Sequence, residues 1–370
     1  MESFVKNVQK RQLTQPPTKD NFGYASIKIV GCGGAGNNTI DRLMKIGIRG
    51  AKCISINTDR QHLDVSDAHI KILIGKNLTR GLGAGGNPEI GRAAAEESRE
   101  DLTKVLRDAN LVFITCGEGG GTGTGSAPIV AEIAKVEGAI VVGVVTIPFN
   151  IEAGRIEKAK VGLIQLRKYV DTLVVIDNNR LLEIAADLPI IEAFSVADEV
   201  LANMVKGITE TIALPSLINL DFADVRTILS TGGVSIIGVG ESNGTENRVD
   251  EAINDALNLP LLDVNIEGAR GALIHVSGGN DMTLAEANLV AAKIKKRMDA
   301  NNATIIWGAR VSDELNGYLR VMLLITGISS PQIFGNLASD TNNYNPIEQK
   351  PKVSHKLSDD IFNIEEIAFD

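Results

Sequence analysis

Short apolar runs alternate along this chain with stretches whose apolar residues recur at helical spacing. Ile27-Lys28-Ile29-Val30, Cys53-Ile54-Ser55-Ile56, Ile72-Leu73-Ile74, Leu111 to Thr115, Ile140 to Ile147 and Leu173 to Ile176 read as strands with helical patterns between them. That alternation predicts a parallel, doubly wound α/β sheet, because parallel neighbours need a crossover that a helix supplies. From Phe194 the period lengthens. Val196, Val200, Met204, Ile208 and Ile212 recur every four residues, which predicts a helix from Phe194 to Leu214 that Pro215 ends. Its length suggests a connector between two domains.

Beyond Pro215 the pattern changes to Val234 to Val239, a helix from Arg248 to Asn258, Ala272 to Val276, a helix from Leu284 to Met298, then Thr304 to Trp307 and Leu319 to Thr326. This reads as a smaller α+β domain. The expected organisation is a mobile extension over 1–24, an α/β domain over 25–193, a connecting helix over 194–215, the α+β domain over 216–330, and a linker with a tail peptide over 331–370. The tail holds one apolar cluster, Ile361 to Phe369, which reads as a docking peptide or as a frayed end.

Composition narrows the function classes. A net charge of -9, with 37 Lys and Arg against 46 Asp and Glu, argues against a nucleic-acid grip, which needs clustered cations. The basic run Lys293 to Arg297 reads as one solvated helix face. Cys32, Cys53 and Cys116 sit in apolar, strand-like surroundings and are too few for a disulfide framework, so a reducing, cytoplasmic setting is expected. His62, His69, His275 and His355 have no metal-ligand spacing, and no direct protein ligation of a metal is expected. No apolar run approaches the roughly 20 residues of a membrane span.

The chemistry lies in the glycines. Gly119 to Gly125 places five glycines in seven residues between an apolar run and a helical pattern. Such a segment bends so that successive N–H groups face an anion on a helix N-terminus; the competing reading is a flexible surface loop. No lysine follows it, so amides, hydroxyls and a metal must hold any phosphate. Gly31-Cys32-Gly33-Gly34-Ala35-Gly36-Asn37-Asn38 satisfies G-x-G-x-x-G after the first strand, with Asp59 at the distance of a ribose-binding acid. Alone it would suggest a Rossmann-type dinucleotide oxidoreductase. A third glycine-rich segment, Gly81 to Pro88, makes one polyphosphate, a triphosphate, the better reading.

These loops, with Asn57-Thr58-Asp59, Pro148 to Glu152 and Asn219 to Asp224, together resemble the FtsZ family of cell-division GTPases in the tubulin/FtsZ superfamily, over residues 25 to 330. The resemblance implies GTP and GDP as ligands with Mg²⁺, and a GTPase that polymerises head to tail into filaments in the cytoplasm at the mid-cell division ring. It implies that Gly33, Gly34, Ala35, Gly36, Asn37, Asn57, Gly83, Ala84, Gly85, Gly120, Gly121, Thr122, Gly123 and Thr124 bind GTP, with Gly33 to Asn37 and Gly121 to Gly123 on the phosphates. Glu152 and Arg155 would face the ribose, at an interval one residue shorter than the family's usual one. Phe194 would stack on the base. Residues four apart share a helix face, so Asp198 beside it can accept the N1 and N2 protons of guanine and reject adenine.

The loop Asn219-Leu220-Asp221-Phe222-Ala223-Asp224 carries an amide and two carboxylates just past Pro215. On spacing alone its acids are turn formers or caps. From Asp198 to Leu214 the predicted helix advances about 24 Å, so this loop cannot reach its own nucleotide. By resemblance, Asn219, Asp221 and Asp224 are the catalytic set and serve the nucleotide of a neighbouring subunit. A tubulin-like GTP-binding scaffold with little hydrolysis is the other reading. The segment Asp359 to Asp370 departs from the bacterial family's docking peptide, so an archaeal member is expected and division partners at the tail are implied only in kind.

Overall fold

The computed structural model describes residues 25–180, 187–213, 221–230, 232, 234–244, 247–257, 266–298 and 303–328. The expected extension over 1–24 and the linker and tail over 331–370 lie outside these. In chain order the strands are β1 (Ile27–Cys32), β2 (Ala51–Asn57), β3 (Ile70–Leu73), β4 (Leu111–Gly117), β5 (Ile140–Ile147), β6 (Thr172–Asp177), β7 (Val234–Ser242), β8 (Gly271–Gly278), β9 (Thr304–Val311) and β10 (Leu319–Ile328). The helices are α1 (Gly33–Ile46), α2 (Arg60–Val65), α3 (Pro88–Glu97), α4 (Arg99–Leu106), α5 (Thr122–Val136), α6 (Ala153–Arg167), α7 (Ile190–Ala213), α8 (Phe222–Ser230), α9 (Arg248–Leu257) and α10 (Leu284–Met298).

The strands form one ten-stranded sheet in the order β3-β2-β1-β4-β5-β6-β7-β10-β8-β9. The first six are all parallel, and every residue of β1 is buried, as expected of strands covered by helices on both faces. The order reverses at β1 and β4, where β2 lies to one side and β5 to the other. In open α/β sheets ligands sit outside the carboxyl ends of the strands at such a switch point. Both G-x-G-type segments begin there.

The sequence reads the C-terminal part as a smaller α+β unit, and its elements occur as expected. Its strands nevertheless continue the same sheet, through a single parallel pairing of Leu173 with Val234. Beyond β7 the pairing turns antiparallel at β10 and β8, and returns to parallel at β9. No local pattern announces so brief a join, which depends on where α7 delivers the chain.

Helix α7 runs 24 residues, starting four residues earlier than the periodicity suggests. Met204 and Ile208 of the predicted stripe are buried, but so are Leu201, Ala202 and Val205. Two faces are therefore covered, and this one core includes Phe113 and Val142 of the parallel part as well as Ile237, Leu273, Met322 and Leu324 of the C-terminal strands. Each such side chain contributes about 1.5 to 3 kcal/mol by leaving water. A second core lies under α9 and α10. There the basic run divides its labour: Ile294 is buried, while Lys293 bonds Asp250 at 2.5 Å and Arg297 bonds Asn254 at 2.6 Å, tying α10 to α9.

Candidate functional site

Strand β1 ends at Cys32, and α1 begins at the next residue with Gly33 at φ +73°. β4 ends at Gly117, and α5 begins at Thr122. The open part of the second glycine segment is therefore only Glu118 to Gly121, and Thr122 to Gly125 form the first turn of α5 rather than loop. The reason is close packing. A Cβ on Gly125 would lie 2.1 Å from the Pro88 carbonyl oxygen, so this turn presses against α3 in a way that only glycine permits.

The same contacts lock the loops to one another. A Cβ on Gly36 would lie 2.4 Å from the Thr115 oxygen, one on Gly33 2.8 Å from the Gly123 nitrogen, and one on Gly121 2.8 Å from the Asn87 nitrogen. Backbone meets backbone at each point, so the glycines bring the three loops together as one cradle. Gly119, at φ +88°, lies against the Arg155 carbonyl, which adds the start of α6. Thr58 and Thr122 join hydroxyls at 2.7 Å, and Lys158 donates to the Gly86 oxygen at 2.7 Å.

Asn37 is fully buried and acts as a bolt. Oriented to satisfy its neighbours, its amide donates to the Gly31 and Gly33 oxygens at 3.0 and 3.1 Å and accepts from the Asn57 side chain at 3.1 Å. Asp59 accepts from the His62 N–H at 3.1 Å and caps α2, which gives that acid an N-capping role in the fold. Gly83, Ala84 and Gly85 lie in the turn before α3, whose cap is Asn87. Glu152 and Arg155 form an ion pair at 2.7 Å at the start of α6.

Asp198 lies on α7, half-buried. Burial pushes its carboxyl up to about 6, against the pull of Arg42 and with the push of Asp41 from α1. Arg42 itself pairs with Glu199. Phe194 is one turn earlier on the same helix, and its side chain lies outside the description. So does Asn219. Asp221 and Asp224 are both exposed at the start of α8, where Asp221 accepts from the Ala223 N–H at 3.2 Å. Fifteen residues of α7, about 22 Å of helix, separate Asp198 from Ala213.

The three cysteines are buried and unpaired. Burial pushes the Cys32 and Cys53 thiols up to about 12, where they are inert. His275 is likewise a buried core residue. Sequence reasoning passed over Arg42, whose charge acts on Asp198, and Glu118, a buried acid between strand and glycine run. For Glu118 there was a signal: an acid directly after seven mostly apolar strand positions.

Residues 26–186 match the model of the tubulin/FtsZ family GTPase domain, and residues 233–329 match that of the FtsZ family C-terminal domain. Cell division protein FtsZ 2 of Methanocaldococcus jannaschii is 56% identical over 96% of this chain and 92% of its own length. The chain belongs to the FtsZ family. Cell division protein FtsZ 2 of Haloferax volcanii is 52% identical over 90% of this chain and 85% of its own. Among solved structures, an empty FtsZ dimer from M. jannaschii superposes with a TM-score of 0.77 at 53% identity, covering 88% of this chain and 91% of that one. A GTPγS-bound protofilament of CetZ2 from Haloferax volcanii shares the fold, with a TM-score of 0.72 at 20% identity over 86% of this chain and 97% of that one. FtsZ membership favours neither the dinucleotide oxidoreductase nor the inert scaffold.

Proposed function

We propose that this FtsZ-family chain binds GTP in the cradle of glycine loops and hydrolyses it to GDP and phosphate when polymerised head to tail for cell division. The observation that carries the reading is the separation of the two halves. Three interlocked glycine loops gather at the sheet's switch point, while the exposed acids Asp221 and Asp224 follow α7 in the chain, and α7 spans about 22 Å between Asp198 and Ala213.

Each side chain then has a task. The amides of Gly33 to Gly36 and Gly120 to Gly123, with the hydroxyls of Thr122 and Thr124, hold phosphate oxygens at the N-termini of α1 and α5. Glu152 and Arg155 bracket the ribose. Phe194 stacks on the base and Asp198 accepts two protons of guanine, a pairing that adenine cannot satisfy. The cradle offers amides and hydroxyls, and among the described residues no group of three acids, histidines or cysteines is placed to hold a metal. Mg²⁺ fits this donor set when carried on phosphate oxygens with its own waters, where it neutralises phosphate charge.

A second copy docks its Asn219 to Asp224 loop onto the γ-phosphate, where Asp221 and Asp224 orient and polarise the attacking water. Such a heterologous contact does not close on itself, so it builds a filament. The chain then acts in the cytoplasm at the mid-cell ring, with division proteins recruited by the tail. No described helix is long and apolar enough to cross a membrane.

Phosphate release measured against protein concentration tests this directly. Specific activity should rise steeply above a threshold; a constant value would mean a self-contained site. Asp224→Ala mixed with Asp198→Ala should recover part of the activity, since each supplies the half the other lacks. No recovery at any ratio would exclude a shared site.

A further inference from the structure

Glu118 is the first residue of the glycine loop, yet its side chain turns away from the phosphate side and into the protein. It is 4% exposed. Its N–H donates to the Thr146 oxygen on β5 at 2.8 Å, and its Oε1 accepts from the Cys116 thiol at 3.6 Å. Its Oε2 has no hydrogen-bond partner, and neither have the hydroxyls of Thr124 and Ser126 in the first turns of α5. A Cβ on Gly162 would lie 2.2 Å from that oxygen and 2.4 Å from the Thr124 methyl carbon, so α6 is pressed onto both. The acid thus occupies the junction of β4, α5 and α6, immediately beneath the phosphate cradle.

We infer that Glu118 is a positioning residue of the nucleotide site, whose buried carboxyl spaces the glycine loop from Thr124 of α5 and Gly162 of α6. The inference rests on the nucleotide reading of the cradle. As a carboxylate, Glu118 has the Cys116 thiol and the Thr124 hydroxyl as donors, but among the described residues no cation acts on it to offset its burial. Around its carboxyl are Cys116 from its own strand, Cys32 from β1, Thr124 from α5 and Gly162 from α6. The nearby cations of α6 are engaged elsewhere, Arg155 with Glu152 and Lys158 with Gly86. As an acid, the group can instead donate its own proton to the oxygen of the Thr124 hydroxyl. Burial pushes the carboxyl up to about 7, opposed by Thr124 and Cys116. A polyphosphate overhead adds negative charge and favours the uncharged form further, so nucleotide binding is linked to retention of this proton.

The sign follows. Below neutral pH the carboxyl is protonated before and after binding; above it, binding must take up a proton, and affinity falls. A fluorescent GDP analogue titrated onto the full chain and onto Glu118→Gln from pH 6.5 to 8.5 reads this out. The amide variant is permanently neutral and nearly isosteric. The two proteins should bind alike at pH 6.5, with wild type weaker by about fivefold at pH 8.5. Comparing them at each pH removes the titration of the phosphates themselves. An infrared C=O band of a protonated carboxylic acid titrating near 7 should be present in wild type at pH 6.5, fade towards pH 8.5 and be missing from Glu118→Gln, while the band of Asp198, titrating near 6, stays in both proteins. A wild-type to variant ratio that does not change with pH, or a C=O band that is the same in wild type and Glu118→Gln, would overturn the role of Glu118; if Glu118→Gln does not fold, the band is read in Asp198→Asn, where Asp198 cannot contribute to it, and its absence there would overturn the role equally. Failure of both proteins to bind the analogue at any pH would instead overturn the nucleotide reading on which this role rests.

Discussion

The two ends of α7 are built in opposite ways. At one end the cradle is made of backbone, with glycines of three loops in contact, Asn37 and Asn57 joined by their amides, and Thr58 bonded to Thr122. At the other, two exposed carboxylates stand at the start of α8, and Asp221 accepts from the Ala223 N–H of its own turn. The first end is over-determined by packing; the second keeps its side chains available to something outside the subunit. The proposed shared site needs this division, because its binding half must pre-exist and its catalytic half must be presented.

The largest effect is expected where backbone meets backbone. Gly36→Ala places a methyl 2.4 Å from the Thr115 oxygen, which cannot give way without moving β4. Overpacking of this kind costs about 1 to 3 kcal/mol, so the melting temperature should fall by several degrees and GDP affinity by more than tenfold. An unchanged melt with normal affinity would mean the loops are not interlocked. At the other end the outcome should invert: Asp224→Ala should leave the melt within about 0.5 kcal/mol of wild type and GDP affinity within twofold, while phosphate release falls by about 100-fold or more. Equal losses of binding and turnover would erase the distinction between the two ends.

Intermediate effects belong to the base-binding position. Asp198 is held up to about 6 in the folded chain against an ordinary value of 3.8. Guanine needs the carboxylate, so affinity for GDP should weaken below pH 6, by up to about tenfold for each further unit, while Asp198→Asn should flatten that limb. Folding stability has the opposite sign. The folded chain holds this proton more tightly than the unfolded one, so the contribution is full below about 4 and is lost as pH rises through about 6. The smallest effect is expected for Arg155→Ala. That guanidinium is 62% exposed and its bond to Glu152 is a surface pair, so GDP affinity should drop only about twofold to fivefold in calorimetric titrations. A loss of 100-fold would place Arg155 among the principal phosphate or ribose contacts.

Much of this arrangement was legible in residue order. Apolar runs and their spacing located the six parallel strands, because a strand buried on both faces must be mostly apolar, as β4 is and as β1 is apart from Lys28. The four-residue period of Val196 to Ile212 identified α7, since a helix needs one apolar stripe whatever it packs on. The glycines after β1 and β4 announced anion loops. Less legible was how those loops end. Thr122 to Gly125 became helix because Pro88 and Gly91 of another segment press on them, and a close approach between distant segments leaves no local trace. Glu118 looked like one more loop acid; only the neighbours from β5, α5 and α6 make it a buried group with a displaced titration.

The sequence by itself determined the parallel strands, the long connector and the presence of glycine loops and acids at fixed chain positions, because these depend on residue size, polarity and backbone freedom at or near each position. The tertiary structure decided that all ten strands share one sheet, that three glycine loops interlock, that α7 is covered on two faces, and that Asp198 sits near Arg42 and Asp41. Those are consequences of distant segments excluding water from one another, and burial, charge and contact become properties of a residue only once the chain has closed around it.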